Sequence, residues 1–164
     1  MITAADILHA RILIVDDKEA NVTLLHRILL SAGYGTFGTV TSTTIPDEVR
    51  DLHLRNRYDL ILLDLEMPGM DGFQVMQRLK QLGSDACLPV LVITAQPCHK
   101  LRALEAGARD FIGKPFEVAE VLLRVHNALE VRLLHLEAVR VTERMLTERE
   151  RFPQGTDCPR PRAD

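Results

Sequence analysis

Cysteine is scarce in this chain: Cys87, Cys98 and Cys158 are odd in number and lack a CxxC spacing. Neither a disulfide framework nor a zinc site is expected, and the thiols read as reduced and incidental. No segment approaches the ~20 uninterrupted apolar residues of a membrane span, and residues 1–9 contain no basic stretch leading into a long apolar run. The expectation is a cytoplasmic protein with no membrane contact. No sign of charge dominates either, since 20 Lys and Arg stand against 23 Asp and Glu for a formal net charge of −3. Without a basic field, direct nucleic-acid binding is not expected.

What is present is ordinary globular material, 164 residues with 46% hydrophobic and 26% charged, enough for one core. Apolar runs of four to five residues alternate with longer segments of helical period, the signature of repeated βα units around a parallel sheet. Five units fit, so the fold class is α/β. Strands are expected at Arg11 to Val15, Thr36 to Val40, Asp59 to Leu63, Leu88 to Ile93 and Asp110 to Ile112. The second is diluted by Gly35 and Gly38 and belongs at a sheet edge. The first helix, from about Glu19, should bury Val22, Leu25, Ile28 and Leu29 and stop at Gly33. Others should start near Pro46, Phe73 and Pro97.

The chain divides into an N-terminal arm over 1–9, a domain over 10–130, a helical extension over 131–152 and a tail over 153–164 rich in Pro, Arg and Asp that reads as disordered. From Glu117 the helical pattern runs unbroken to about Arg151, more than one small sheet can cover. Val131, Leu134, Ala138, Val141 and Met145 recur at alternating spacings of three and four. That is either a two-heptad seam for a partner helix, a homodimer being the simplest case, or a frayed extension.

Five polar residues stand at strand ends: Asp16 and Asp17 after Ile12-Leu13-Ile14-Val15, Asp64 after Leu60-Ile61-Leu62-Leu63, Thr94 after Val90-Leu91-Val92-Ile93, and Lys114 after Phe111-Ile112. At the carboxyl ends of parallel strands such side chains converge on one crevice. An Asp in this position taken alone is most often a helix N-cap. Three together repel, and a cation must offset them. Mg²⁺ (or Mn²⁺), an oxygen-seeking ion held by one or two carboxylates plus phosphate, suits the set, with the backbone carbonyl of Glu66 as a further ligand. Lys114 and Thr94 would neutralise phosphoryl oxygens, which leaves Asp64 as the nucleophile.

With their local words these residues resemble the receiver domain of two-component response regulators. Leu13-Ile14-Val15-Asp16-Asp17, Leu62-Leu63-Asp64-Leu65-Glu66-Met67-Pro68-Gly69-Met70-Asp71-Gly72, Val92-Ile93-Thr94-Ala95 and Ala106-Gly107-Ala108-Arg109-Asp110-Phe111-Ile112-Gly113-Lys114-Pro115-Phe116 carry the likeness over about Arg11 to Leu129. It implies a doubly wound, flavodoxin-like sheet of order 2-1-3-4-5. It also implies Asp64 as phosphoacceptor for a histidine kinase or phosphotransfer protein. Asp17, Asp64 and the Glu66 carbonyl would be metal ligands, with Asp16 behind them.

The resemblance further implies a phosphate-binding Lys114 with a cis bond to Pro115, and Thr94 and Phe111 as a switch pair. Glu66 and Gln96 would tune the phosphoryl lifetime. Glu120 to Val125 with Leu133 to Leu136 is similar to receivers preceding HD-GYP-type output domains, although no HD pair or GGDEF word occurs. On this reading the chain is a signalling switch and catalyses only its own phosphorylation and dephosphorylation. A haloacid-dehalogenase-type phosphohydrolase would need an Asp two residues after its nucleophile, where this chain has Glu66. A receiver-like interaction module without phosphorylation would be expected to have lost one of the five residues.

Overall fold

The structure, a computed structural model, describes residues 2–83, 87–96 and 98–151. Pro97, Cys158 and the tail expected over 153–164 lie outside the described residues, as does the last position of the helical extension. Strands β1 (Ile12–Val15), β2 (Val40–Thr43), β3 (Leu60–Asp64), β4 (Val90–Thr94) and β5 (Asp110–Gly113) alternate with helices. They form one parallel sheet in the order β2-β1-β3-β4-β5, with β2 at an edge. The helices are α1 (Ala4–Leu8), α2 (Glu19–Ser31), α3 (Val49–Asn56), α4 (Gly72–Lys80), α5 (His99–Glu105) and α6 (Val118–Arg151).

Every residue of β1, β3 and β4 is buried, as a parallel sheet covered on both faces requires. Alternation along the strands divides the core in two. Ile12, Ile14, Leu60, Leu62, Leu91 and Ile93 pack against α1, α2 and the first half of α6. Leu13, Val15, Ile61, Leu63 and Val92 face α3, α4 and α5. Leu25, Ile28 and Leu29 of α2 are buried and Val22 partly so, and the helix ends at Gly33 with φ +91°. There the Tyr34 N–H returns to the Leu29 carbonyl, tying off the last turn.

One expectation is corrected. The strand expected over Thr36 to Val40 begins only at Val40, because Gly35 and Gly38 hold φ of +77° and +70°, and the intervening residues form turns. A strand cannot pass through such left-handed positions. The N-terminal arm contains α1, five residues opened by a capping box in which the Thr3 hydroxyl accepts from the Asp6 N–H and the Asp6 carboxylate accepts from the Thr3 N–H. Ile7 enters the core that α2 and α6 share. No described helix is long and apolar enough to cross a membrane.

Ile7 is 5% exposed, so Ile7→Ala should cost about 2–4 kcal/mol of unfolding free energy, read from urea denaturation followed by circular dichroism. An unchanged midpoint would mean that α1 is no part of the cooperative unit.

Candidate functional site

Register brings the strand ends level. Val15 of β1 lies beside Leu63, so Asp16 and Asp17 emerge next to Asp64, while Thr94 pairs with Gly113 immediately before Lys114. Ligand oxygens of Asp16, Asp17 and Asp64 all fall within 4.8 Å of one another. Asp16 and Asp64 are buried, and Lys114 Nζ sits between them, 3.2 Å from Asp16 Oδ2 and 3.1 Å from Asp64 Oδ1. The Lys114–Pro115 bond is cis, and the Lys114 N–H donates to the Thr94 carbonyl at 2.8 Å.

The three carboxylates are not equivalent. Asp16 is saturated: Oδ1 accepts from the Lys18 N–H at 2.9 Å and from Asn21 Nδ2 at 3.0 Å, and Oδ2 accepts from Asn21 Nδ2 at 2.9 Å as well as from Lys114. Asp17 Oδ1 is buried without a hydrogen-bond partner among the described residues. A buried carboxylate oxygen without a donor is costly unless a cation meets it. Asp17 and Asp64 are therefore the open faces of the cluster, and the set fits a hard divalent ion with Asp16 behind it.

Burial pushes the Asp64 carboxyl above its ordinary value, and the charge of Asp16 adds to that, while Lys114 and the Glu66 backbone N–H pull the other way. Burial alone would lower Lys114, but the charges of Asp64 and Asp16 outweigh it and hold its pKa above the usual lysine value. The native state thus binds a proton at Asp64 more tightly than the unfolded chain does. Its contribution to stability falls as pH rises past 3.8 toward the native value, whereas the contribution of Lys114 persists through neutrality and is lost as pH rises above 10.5.

Thr94 is buried, but its hydroxyl is turned to its own loop, accepting from the Gln96 N–H at 3.1 Å. Glu66 and Gln96 are both exposed at the rim. Phe111 is half-buried, with Lys100 Nζ 4.4 Å from its ring centre and the Arg124 guanidinium 5.6 Å away. The loop carrying Glu66 is pinned by buried Met67 and Met70, and Gly72 opens α4 directly against β3. A Cβ on Gly72 would lie 2.6 Å from the Asp64 carbonyl oxygen, so only glycine permits this approach.

Val131, Leu134, Ala138, Val141 and Met145 are not part of this site; they lie exposed along α6 from its fourteenth residue onward. Sequence reasoning missed Asn21 and Gly72. Asn21, five residues after Asp16 in the first turn of α2, is a position from which an amide reaches back to the strand end. Asp71 was missed as the cap of α4, although the Asp71…Gln74 spacing is that of a capping box, which the structure forms in both directions.

With this geometry established, comparison identifies the class. The response regulator receiver domain family matches residues 12–126, and the chain belongs to it. Response regulator PleD of Caulobacter vibrioides is 39% identical over 128 residues, 76% of this chain and 27% of that protein. Response regulator MprA of a Mycobacterium species is 39% identical over 121 residues, 73% of this chain and 50% of that protein. This chain therefore spans about a quarter to a half of those relatives. Among solved structures, chemotaxis protein CheY4 of Vibrio cholerae superposes with TM-score 0.64 at 27% identity, covering 74% of this chain and 98% of its own. The receiver domain of NtrX from Brucella abortus gives 0.65 at 28%, covering 73% and 98%. Phosphoryl acceptance and conformational switching are the general function of the family, and this chain is a signalling domain of that kind.

Asp64→Asn removes a buried carboxylate that Asp16 repels while leaving Lys114 its pair with Asp16. In metal-free buffer at pH 7 it should raise the urea midpoint, and millimolar Mg²⁺ should stabilise the wild type more than the variant. A lower midpoint for Asp64→Asn would contradict the electrostatic picture.

Proposed function

We propose that Asp64 accepts the phosphoryl group, from a phosphohistidine on a histidine kinase or phosphotransfer protein in the cytoplasm. The observation that carries this is the asymmetry of the acidic cluster. Asp16 is fully engaged, whereas Asp64 ends β3 with one cation beside it and its pKa raised by burial. An oxygen of Asp64 attacks phosphorus in line with the leaving imidazole. The P–O bond forms as the P–N bond breaks, and the imidazole takes up a proton.

Asp17, Asp64 and the Glu66 carbonyl would hold Mg²⁺ (or Mn²⁺), with Asp16 behind them. Bound there, the ion would offset charge on the transferring group and its carboxylate acceptor. Lys114, already 3.1 Å from Asp64, is placed to take up a phosphoryl oxygen. Thr94 would turn its hydroxyl from Gln96 to the new phosphoryl group, and Phe111 would move into the space vacated. That motion would draw the ring away from Lys100 and Arg124. Exposed Glu66 and Gln96 flank the approach of water and would set the rate at which the chain hydrolyses its own acyl phosphate.

Incubation with Mg²⁺ and acetyl phosphate, followed by intact mass, should add one phosphoryl mass to the wild type. EDTA or Asp64→Ala should abolish the addition, and Lys114→Ala should slow it by about 10²-fold, the scale for loss of one positioned charge. Persistent labelling of Asp64→Ala would reject Asp64 as acceptor. Thr94→Ala should still be labelled, but the shift of the Phe111 ring resonances on phosphorylation should disappear from its NMR spectrum.

A further inference from the structure

Asp16 faces the same crevice as Asp17 and Asp64, yet its lone pairs are already taken. A carboxylate offers about four acceptor sites, and Asp16 fills them with the Lys18 N–H, with Lys114 and with two contacts from one side chain, Asn21. Asn21 Nδ2 stands 3.0 Å from Oδ1 and 2.9 Å from Oδ2, so it spans the carboxylate and resists its rotation. The amide comes from the first turn of α2, where the Asn21 N–H donates to the Lys18 carbonyl at 2.9 Å, and the side chain is half-buried. Asp16 itself is 1% exposed, so bulk water does not replace a donor taken away.

The donor is neutral, which matters to the charge of the site. Three carboxylates and one ammonium leave a formal charge of −2, which a divalent cation closes. A Lys or Arg in place of Asn21 would satisfy Asp16 equally but leave one charge fewer for the ion. Asn21 also shares Oδ2 with Lys114, whose Nζ is 3.2 Å away and at the same time 3.1 Å from Asp64 Oδ1. The ammonium is divided between two carboxylates, and the second donor on Oδ2 weakens the hold of Asp16 upon it.

We propose that Asn21 is a positioning residue for phosphoryl acceptance: its amide restrains Asp16 from the metal ion and frees Lys114 to follow the phosphoryl group on Asp64. This rests on Asp64 as the acceptor. Without the amide, Asp16 keeps its charge in a buried place with half its donors gone. The groups left to offset it are Lys114 and the divalent ion. Lys114 is then drawn away from Asp64, and the ion gains a carboxylate that was formerly satisfied. Metal affinity and phosphorylation rate therefore change in opposite directions, whereas a site that had merely loosened would lose both.

Asn21→Leu removes the donor at nearly constant shape and keeps a good helix former in α2. Calorimetric titration with Mg²⁺ alone should give a dissociation constant about threefold below that of the wild type, and labelling by acetyl phosphate at saturating Mg²⁺ should be about tenfold slower, the factor for one hydrogen bond. In a Lys114→Ala background the same substitution should leave the rate unchanged, because the ammonium through which Asn21 acts is gone. Asn21→Ala supplies the same comparison if circular dichroism shows Asn21→Leu unfolded in metal-free buffer. Weaker Mg²⁺ binding together with slower labelling would overturn the inference, as would an unchanged rate with Lys114 present or an undiminished loss without it. A wild type that takes up no phosphoryl mass would instead reject Asp64 as the acceptor, and the Mg²⁺ titration would still decide whether Asn21 restrains Asp16.

Discussion

Mutual repulsion of three carboxylates at one edge of a parallel sheet is the constraint around which this structure is organised. β1 and β3 are neighbours, so the acids that follow them cannot avoid each other. The chain answers with an ammonium from the far side of the sheet, reaching Asp16 and Asp64 from the loop after β5. An amide from α2 and a backbone N–H fill the remaining lone pairs of Asp16. Asp17 Oδ1 has no donor among the described residues, and buried Asp64 has only Lys114 as a charged partner, so the remaining charge is left for something not contained in the fold. The site is poised because neutralisation is incomplete, and full satisfaction of all three acids would leave nothing to react.

Around that cluster the structure separates rigid parts from movable ones. Central strands with no accessible surface hold the backbone, and Gly72 clamps α4 onto β3 so that the Glu66 loop begins at a fixed point. The hydroxyl of Thr94 and the ring of Phe111 are held by weaker contacts, a turn within one loop and two cations above an aromatic face. Those cations come from different helices, Lys100 from α5 and Arg124 from α6. Arg124 is also paired with Asp110 beside Phe111 and with Glu120 one turn earlier. In the proposed switch, displacement of the ring changes contacts on both helices at once.

Most of the sheet was legible in the sequence because its central strands are short, apolar and separated by segments of helical period. The strand-end residues were legible because their spacing follows the βα repeat. β2 was misplaced since its β-branched residues continue through Thr43, past two glycines whose positive φ no composition reveals. α1 went unseen because five residues show no helical period, and only the Thr3 and Asp6 pair announced it. Asn21 escaped because its role depends on where α2 begins relative to Asp16. These misses concern short segments whose conformation is set by one or two specific bonds rather than by repeated pattern.

α6 can be viewed as a lever. Its root, through Arg132, is gripped by the sheet and α1, and about 28 Å of helix extends beyond that grip, longer than the gripped part. A tilt of only about 5° at the root would carry the far end some ~2.5 Å. A small adjustment near β5 would thereby be magnified with distance from the sheet, and the end of the helix farthest from the chemistry would be displaced most.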